Sequence, residues 1–233
     1  MNLNILSTMN RKWSNIELTD SINAYLRMQN LLNSNKKIVK KDFYKELSSK
    51  HDRTIKAFEY RMQNISYVLS LHGREWIKGL RPAENVGTNV IKQIEKILSQ
   101  IEKRPPEQKI IFESKVQAFF KKNPVEIPTG ITNPKKKETI SFTYERSAKN
   151  KAWILYNSKG ICENCLKPAP FITKNGIFYL EVHHVKRLSD GGSDTIQNTV
   201  ALCPNCHKEI HYGLNSKLLI NSLYNSLPRL VKE

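Results

Sequence analysis

The chain has no apolar run long enough to cross a bilayer, and its first residues lack the charged opening of a signal peptide. It is also poor in cysteine, with four in 233 residues, and all four lie in the last third. We therefore expect a cytoplasmic protein with no membrane association. In the reducing cytosol, cysteines are expected to serve metal or redox chemistry rather than structural disulfides.

Acidic residues are few relative to basic ones. The sequence contains 21 Asp and Glu against 38 Lys and Arg, which gives a formal net charge of +17 at pH 7. The excess is spread along the whole chain, and contacts of such side chains with phosphates release counterions and drive affinity for nucleic acid. Charge alone leaves open the alternative of solvated lysine faces that only keep the protein in solution.

The cysteines form two Cys-x-x-Cys pairs, Cys162–Cys165 and Cys203–Cys206. Each tight turn brings two thiolates close enough to share an ion, so the two pairs predict a closed four-thiolate site for structural Zn²⁺. The segment between the pairs is longer than in a usual zinc ribbon and therefore holds an insertion. The alternatives are two disulfides or a thioredoxin-like redox role. The missing signal peptide argues against the first, and the absence of a βαβ pattern argues against the second.

The insertion contains a short strand-like run, residues 179–185, with His183 and His184 side by side. Neighbouring residues on a strand point to opposite faces. The two histidines are therefore expected to have different roles.

A turn-rich stretch at 189–194 and a returning strand at 199–202 follow. A helix then begins within the second Cys-x-x-Cys pair and carries His207 and His211 one turn apart, on one face. The expected order of elements is strand, loop, strand, helix.

These motifs resemble the HNH (ββα-metal) endonuclease superfamily. Over residues 151–230 the chain most resembles the McrA-type, modification-dependent restriction endonucleases. The matching stretches are Lys151-Ala-Trp-Ile-Leu, Lys159-Gly-Ile-Cys-Glu-Asn-Cys, Tyr179-Leu-Glu-Val-His-His-Val and Val200-Ala-Leu-Cys-Pro-Asn-Cys-His, with His211-Tyr212 after them. Where this family often has an apolar residue and a proline, the present chain has Lys186 and Arg187, which we expect to contact DNA phosphates.

The resemblance implies a role for each polar residue of the motif. His184 corresponds to the general base and Asn198 to the residue that braces the loop and orients the base. His183, His207 and His211 correspond to ligands of one catalytic divalent ion (Mg²⁺, Mn²⁺, Ni²⁺, Co²⁺ or Zn²⁺). Neutral imidazole can accept a proton from water, and imidazole ligands favour the transition metals over Mg²⁺. A plain zinc-ribbon binding module with incidental histidines is the alternative.

Apolar periodicity predicts a helical domain over residues 1–103. Helices are expected at Asn15–Leu32 and Asp42–Ser49, then from the N-cap Thr54 to a stop at Gly73, and at Val90–Ile101.

The polar turn at 50–53 and its flanking helices resemble a helix-turn-helix, with Arg53, Lys56, Arg61 and Asn64 as candidate DNA contacts on an exposed face. An ordinary helical bundle is the alternative. Aromatic residues that a cage for a flipped base could use are Tyr25, Tyr44, Tyr60, Tyr67 and Trp76.

Residues 104–143 are rich in breakers and include the lysine cluster 135–137, so this segment is predicted to be a linker with one helix near Glu107–Lys122. A further helix at 144–158 is expected to pack on the zinc-knuckle face. The residues expected to make that contact are Ala152, Trp153, Leu155 and Tyr156. A last helix is expected at 215–227.

Together these features predict an α+β, mostly α protein. A helical recognition domain (1–103) is joined by the linker (104–143) to an HNH nuclease domain (144–233) with a four-cysteine zinc knuckle. The function expected from the resemblance is metal-dependent cleavage of double-stranded DNA with a modified cytosine or a modified backbone, by a homodimer in a restriction system. The alternatives are a non-catalytic zinc-dependent DNA-binding regulator, and a homing or phage-type nuclease acting on unmodified DNA.

Overall fold

The computed structural model describes residues 11–83, 85–122, 127–136, 138, 140 and 143–233. Its contacts divide the chain into two compact units, Met1–Phe142 and Thr143–Glu233. Within the described residues, no helix is both long and apolar enough to cross a membrane. The predicted breaker Asn123-Pro124 and the last lysine of the basic cluster, Lys137, lie outside the described part of the chain.

The first unit is helical, as predicted. Its described helices are α1 (Asn15–Asn33), α2 (Lys40–Lys50), α3 (Ile55–Leu71), α4 (Thr88–Ile101) and α5 (Gln108–Phe120). The Thr54 side chain accepts a hydrogen bond from the backbone N–H of Ala57, so the predicted N-cap is confirmed. Ser14 caps α1 through a capping box with Glu17.

Helix α5 lies in the segment that the sequence predicts to be a linker. Ile110 of α5 is 1% exposed and belongs to the apolar core of the first unit. Residues 127–136 form no helix or strand. The helical part of this segment therefore packs as a fifth helix of the unit, while the three-part division of the chain stays a prediction.

A buried ionic network joins α3, α4 and α5. The Glu95 carboxylate, 1% exposed, is 2.6 Å from His72 Nε2 and accepts from Arg104 Nη1 at 2.7 Å and from the backbone N–H of Glu107 at 2.8 Å. These bonds hold the pKa of Glu95 at about 2, against the burial that would raise it. The network attaches the start of α5 to the rest of the unit.

Two arginines predicted to contact DNA lie inside the first unit. Arg61 is 6% exposed, with its guanidinium 4.1 Å from the ring centroid of Trp13, so the expectation that it is exposed is wrong. Arg53 stacks on the same ring at 4.2 Å and donates from Nε to Glu17 at 2.7 Å. Trp13 lies far from both in sequence, so periodicity within α3 could not reveal this cover. Lys56 is exposed and Asn64 half-buried, and both stay predicted contacts.

The second unit contains α6 (Ala148–Asn157), β1 (Glu181–His184), β2 (Thr199–Leu202), α7 (Pro204–Tyr212) and α8 (Ser216–Ser226). The strands pair antiparallel, with Glu181 opposite Leu202 and His184 opposite Thr199. A 3₁₀ turn, Leu188–Asp190, interrupts the loop between the strands. The predicted order of strand, loop, strand and helix is confirmed, as is the α+β, mostly α class.

The face of α6 that packs on the core differs from the prediction. Ile154 is 1% exposed and Leu155 is half-buried, whereas Trp153 and Tyr156 are 43% and 84% exposed. The expectation that Trp153 and Tyr156 pack on the zinc-knuckle face is therefore wrong, and Ala152, expected there too, is exposed as well. The helix turns its aliphatic side inward, where Ile154 joins the buried residues of β2.

Candidate functional site

The four cysteines converge in the second unit. Their sulfur atoms all lie within 4.8 Å of one another, and Cys165 Sγ and Cys203 Sγ are 3.9 Å apart. A tetrahedral zinc with bonds of about 2.3 Å would separate its sulfur ligands by about 3.8 Å. All four thiols are free, so the structure does not adopt the disulfide alternative. The group could hold a metal ion.

Hydrogen bonds to sulfur shape this group. The backbone N–H of Cys203 donates to Cys162 Sγ at 3.2 Å, and Asn164 Nδ2 donates to Cys206 Sγ at 3.2 Å. Burial works to raise the pKa of the Cys162 thiol, but backbone N–H donors outweigh it and the pKa falls. Burial and the neighbouring sulfurs raise the pKa of Cys206. A bound cation would offset the repulsion that opposes ionising all four.

Three imidazoles converge at a second position. His183 lies on β1, while His207 and His211 lie one turn apart on α7, and each pair of ring centroids is 4.9 Å apart. The Nε2 atoms of His207 and His211 are 3.1 Å apart. Nitrogen ligands of a tetrahedral ion would be about 3.3 Å apart. The sequence prediction brought together these same three residues.

The electrostatics of the three rings suit a cation. Burial, followed by the neighbouring imidazoles and Arg187, lowers the pKa of His183 to about 2. Burial and Arg187 lower the pKa of His211 to about 4. Both rings are therefore neutral at physiological pH, with lone pairs available to a metal. Three imidazoles that face one another fit a divalent transition-metal ion.

Glu181 is a member of this cluster that the sequence analysis missed. Its Oε2 accepts a hydrogen bond from His207 Nδ1 at 2.5 Å, and its Oε1 accepts one from the Tyr179 hydroxyl at 3.0 Å. The bond to His207 lowers the pKa of Glu181. Because Nδ1 is committed to the carboxylate, Nε2 is the ring nitrogen of His207 that faces His211. The sequence carried a signal for it, since Glu181 and His183 are two apart on a strand and share a face.

His184 faces the opposite side of β1 and takes a different partner. It is 8% exposed, and its Nε2 lies 2.7 Å from Asp194 Oδ1. Asp194 belongs to the turn-rich stretch, but the sequence analysis gave it no role. The two neighbouring histidines thus have separate environments, as strand alternation predicts.

Asn198 is fully buried and holds the loop between the strands. Its Oδ1 accepts from the backbone N–H of Lys186, and its Nδ2 donates to the carbonyls of Lys186 and Ser193, each at 2.8 Å. At Gly192 a Cβ would lie 2.1 Å from the carbonyl oxygen of Lys186, so only glycine allows the loop to fold back this closely. Asn198 therefore fixes the backbone that follows His184.

The aromatic residues proposed for a base-binding cage fall into two groups. Tyr25 is fully buried and bonded to Ser66 through its hydroxyl, and Tyr44 is 5% exposed, so both are core residues here. Tyr67 is half-buried. Tyr60 and Trp76 are 55% and 41% exposed. These last two are the most exposed of the five, and the Lys56 ammonium lies 5.9 Å from the centroid of the Tyr60 ring.

A family model described as "HNH endonuclease" matches residues 162–213. These residues include both cysteine pairs, β1, β2, α7 and the four histidines described above. They form an HNH endonuclease domain. The HNH domain thus accounts for both candidate ion-binding groups of the second unit.

Similar proteins include two curated relatives and one solved structure. The "Type IV methyl-directed restriction enzyme EcoKMcrA" of Escherichia coli (strain K12) is 48% identical over 129 residues, covering 55% of this chain and 46% of that protein. "Anaredoxin" of Nostoc sp. is 52% identical over 31 residues, covering 13% of this chain and 41% of that protein. The structure of the "Type IV phosphorothioation-dependent restriction endonuclease ScoMcrA" matches with 36% identity and a TM-score of 0.32, covering 35% of this chain and 16% of that one. The chain thus spans less than half the length of each relative.

The similarity to the Escherichia coli enzyme is wider than the HNH domain. A match of 129 residues within a chain of 233 must include residues 105–129, wherever it begins. Those residues contain α5, which packs on the helical unit. The likeness therefore reaches the segment that precedes the second unit.

Proposed function

We propose that this protein is a metal-dependent endonuclease that hydrolyses phosphodiester bonds of double-stranded, modified DNA in a restriction system. The observation that carries the proposal is the arrangement within the HNH domain. Three imidazoles converge on one face of β1, while His184 stands on the other face beside a carboxylate. This set supplies a place for a cation and a separate proton acceptor.

In the proposed reaction, His184 accepts the proton of the attacking water as general base. His183, His207 and His211 would hold the ion, which would supply polarisation of the scissile phosphate and stabilisation of the leaving oxygen. Asn198 keeps the backbone after His184 in place through its bonds to Lys186. The expected products carry 3′-hydroxyl and 5′-phosphate ends.

Positive charge near the site supports a polyanionic substrate. Arg187 lies close enough to lower the pKa of both His183 and His211. A phosphate bound at these rings would therefore also be attracted by the positive charge of the Arg187 guanidinium. Lys186 precedes it on the braced loop. The net charge of +17 adds a long-range attraction for DNA. The described residues of one chain form one such centre, so cutting both strands is proposed to need a homodimer.

For the modification, methylated DNA is the first candidate. The support is the likeness to the methyl-directed Escherichia coli enzyme, which extends through residues 105–129 and so is not confined to the HNH domain. 5-Hydroxymethylcytosine and a phosphorothioate backbone are the other candidates. Tyr60 and Trp76 are the aromatic side chains proposed to reach a flipped base.

The test is cleavage of one DNA sequence prepared unmodified and with each modification in turn, in the presence of Mn²⁺ or Ni²⁺. We expect wild-type protein to cut a modified form. His184→Ala should lose at least about 10²-fold in rate while retaining DNA and metal affinity, because it removes only the proton acceptor. Wild-type rates in His184→Ala would contradict the role of His184.

Two other results would redirect the proposal. Gel-shift binding of DNA with no ion-dependent nicking would favour a zinc-dependent regulator. Cleavage of unmodified DNA at one long site would favour a homing or phage-type nuclease.

A further inference from the structure

Asp194 makes contacts in three directions within the HNH unit. Its Oδ1 lies 2.7 Å from His184 Nε2, and its Oδ2 accepts from the backbone N–H of Ser147 at 2.5 Å. Its carbonyl oxygen accepts a hydrogen bond from Asn150 Nδ2. The residue therefore connects His184 to the first turn of α6.

The carboxylate is fixed before any substrate arrives. Ser147 is the N-cap of α6 and accepts from the backbone N–H of Asn150 at 3.2 Å, so its own N–H is held in place by the helix. On the other side, the neighbouring Ser193 is held by Asn198 and by the Glu233 carboxylate. A group oriented from both sides can in turn orient its partner.

The chemistry of the contact selects one form of the imidazole. An ionised carboxylate has no proton to donate, so His184 must carry its proton on Nε2. The lone pair of the neutral ring is then on Nδ1. The Ser147 N–H, the His184 ring and the charge of Arg146 all lower the pKa of Asp194 in spite of its burial, which keeps it ionised.

The geometry points to Asp194 as the positioning residue of the reaction, which selects the His184 tautomer that presents Nδ1 to the attacking water. This inference rests on the proposed function. When Nδ1 takes the proton, the ring becomes an imidazolium, and Asp194 stabilises that charge without itself gaining a proton. No other bond forms or breaks at Asp194.

A purely structural role predicts a different ranking of variants. Asp194→Asn keeps the size and can still accept from the Ser147 N–H, but its amide would donate to Nε2 and force the proton onto Nδ1. Asp194→Ala removes both contacts and leaves the ring free to choose. If Asp194 only stabilises the structure, Asp194→Ala should lower the cleavage rate more than Asp194→Asn does. If Asp194 selects the tautomer, Asp194→Asn should lower the rate at least as much as Asp194→Ala.

The first measurement is single-turnover cleavage by the full-length protein with saturating Mn²⁺. We expect Asp194→Asn to lower the rate by about 10²–10⁴-fold and at least as much as Asp194→Ala, with DNA and metal dissociation constants changed by less than about threefold. Asp190→Asn is the matched control, since Asp190 is in the same loop and its carboxylate lies 3.5 Å from the Ser189 hydroxyl. It should cut at the wild-type rate. A rate for Asp194→Asn within about threefold of wild type would overturn the inference.

The second measurement does not depend on cleavage activity, and its main result comes from the wild-type protein. Long-range proton–nitrogen correlation spectra of the histidine-labelled chain report which ring nitrogen is protonated, and His184→Gln identifies the His184 signals. We expect the Nε2–H form in wild type at alkaline pH, and the Nδ1–H form in Asp194→Asn. An Nδ1–H ring in wild type would overturn the inference. If wild-type protein cuts none of the DNA forms, the proposed function fails, and these spectra still decide the tautomer.

Discussion

Replacing Glu181 by glutamine should weaken metal binding by the three imidazoles without disturbing the fold. Glu181 Oε2 receives the Nδ1–H of His207 at 2.5 Å, so the carboxylate fixes both the ring orientation and the tautomer of this ligand. The amide of glutamine can still accept that hydrogen bond through its oxygen. It lacks the negative charge that makes the ring a stronger donor to a cation.

The size of the effect follows from comparable contacts in other metal sites. Loss of a carboxylate that orients a metal-bound histidine typically lowers affinity by about 10–100-fold. That range corresponds to about 1.4–2.7 kcal/mol of binding free energy. Glu181→Ala should fall at the upper end or beyond, because it also releases the Tyr179 hydroxyl, which is 3.0 Å from Oε1.

The assay is a titration of the full-length protein with Co²⁺ or Ni²⁺, followed by calorimetry and by the visible absorption of the Co²⁺ complex. The metal content of the four-cysteine site is kept constant and measured separately. Glu209→Gln is the matched control, because Glu209 is an exposed glutamate on α7, the helix that carries His207. A dissociation constant for Glu181→Gln within about twofold of the control would refute the reasoning that the carboxylate tunes His207.

Two further predictions concern stability. Removing the metal from the cysteine site with a chelator should abolish hydrogen-exchange protection in β1, β2 and α7 but leave α1–α4 protected. The reason is that the four sulfurs lie in the core of the second unit alone. Equal loss of protection in both units would contradict this. The first unit should be most stable between about pH 4.5 and pH 6.5. The pKa of Glu95 in the folded state is lowered to about 2, so its contribution to the free energy of unfolding is lost as pH falls below 4.5. The pKa of His72 is raised by its bonds to Glu107 and Glu95 despite burial, so its contribution is lost as pH rises through the pKa of the folded state. Hydrogen exchange at α3–α5 as a function of pH would test this. Glu95→Gln is expected to reduce the loss of stability at acid pH without removing it, because the pKa values of Glu17 and Glu107 are also lowered; an unchanged pH profile in that variant would refute the reasoning.

Local spacing predicted much of the second unit from sequence. A Cys-x-x-Cys turn and a histidine pair one helical turn apart bring their ligands together whatever the rest of the chain does. Two such cysteine pairs predicted the four-thiolate group, whereas only the resemblance to HNH endonucleases added His183 to the two histidines of α7. Strand alternation is also a local property, and it predicted that His183 and His184 lie on opposite faces of β1.

Contacts between distant segments were beyond the reach of the sequence. Asp194 meets His184 because Asn198 and Gly192 fold the loop back on itself, and no periodicity describes such a path. Arg61 looked exposed from its position on α3, yet Trp13 covers it. The position of Glu181 was predictable in part. Strand alternation places it on the same face as His183, but it does not predict the hydrogen bond to His207.

The two candidate ion-binding groups are linked through one short segment of the chain. Cys203 caps α7 and Cys206 lies in its first turn, so His207 follows a sulfur ligand by one peptide bond. Cys203 also follows directly on β2, whose register against β1 sets the position of His183. A slip of one residue in that register would exchange the faces of His183 and His184, and with them the proposed metal ligand and the proposed proton acceptor. A metal held by the four sulfurs would fix the junction of β2 and α7, and with it the face of β1 on which each of the two histidines lies.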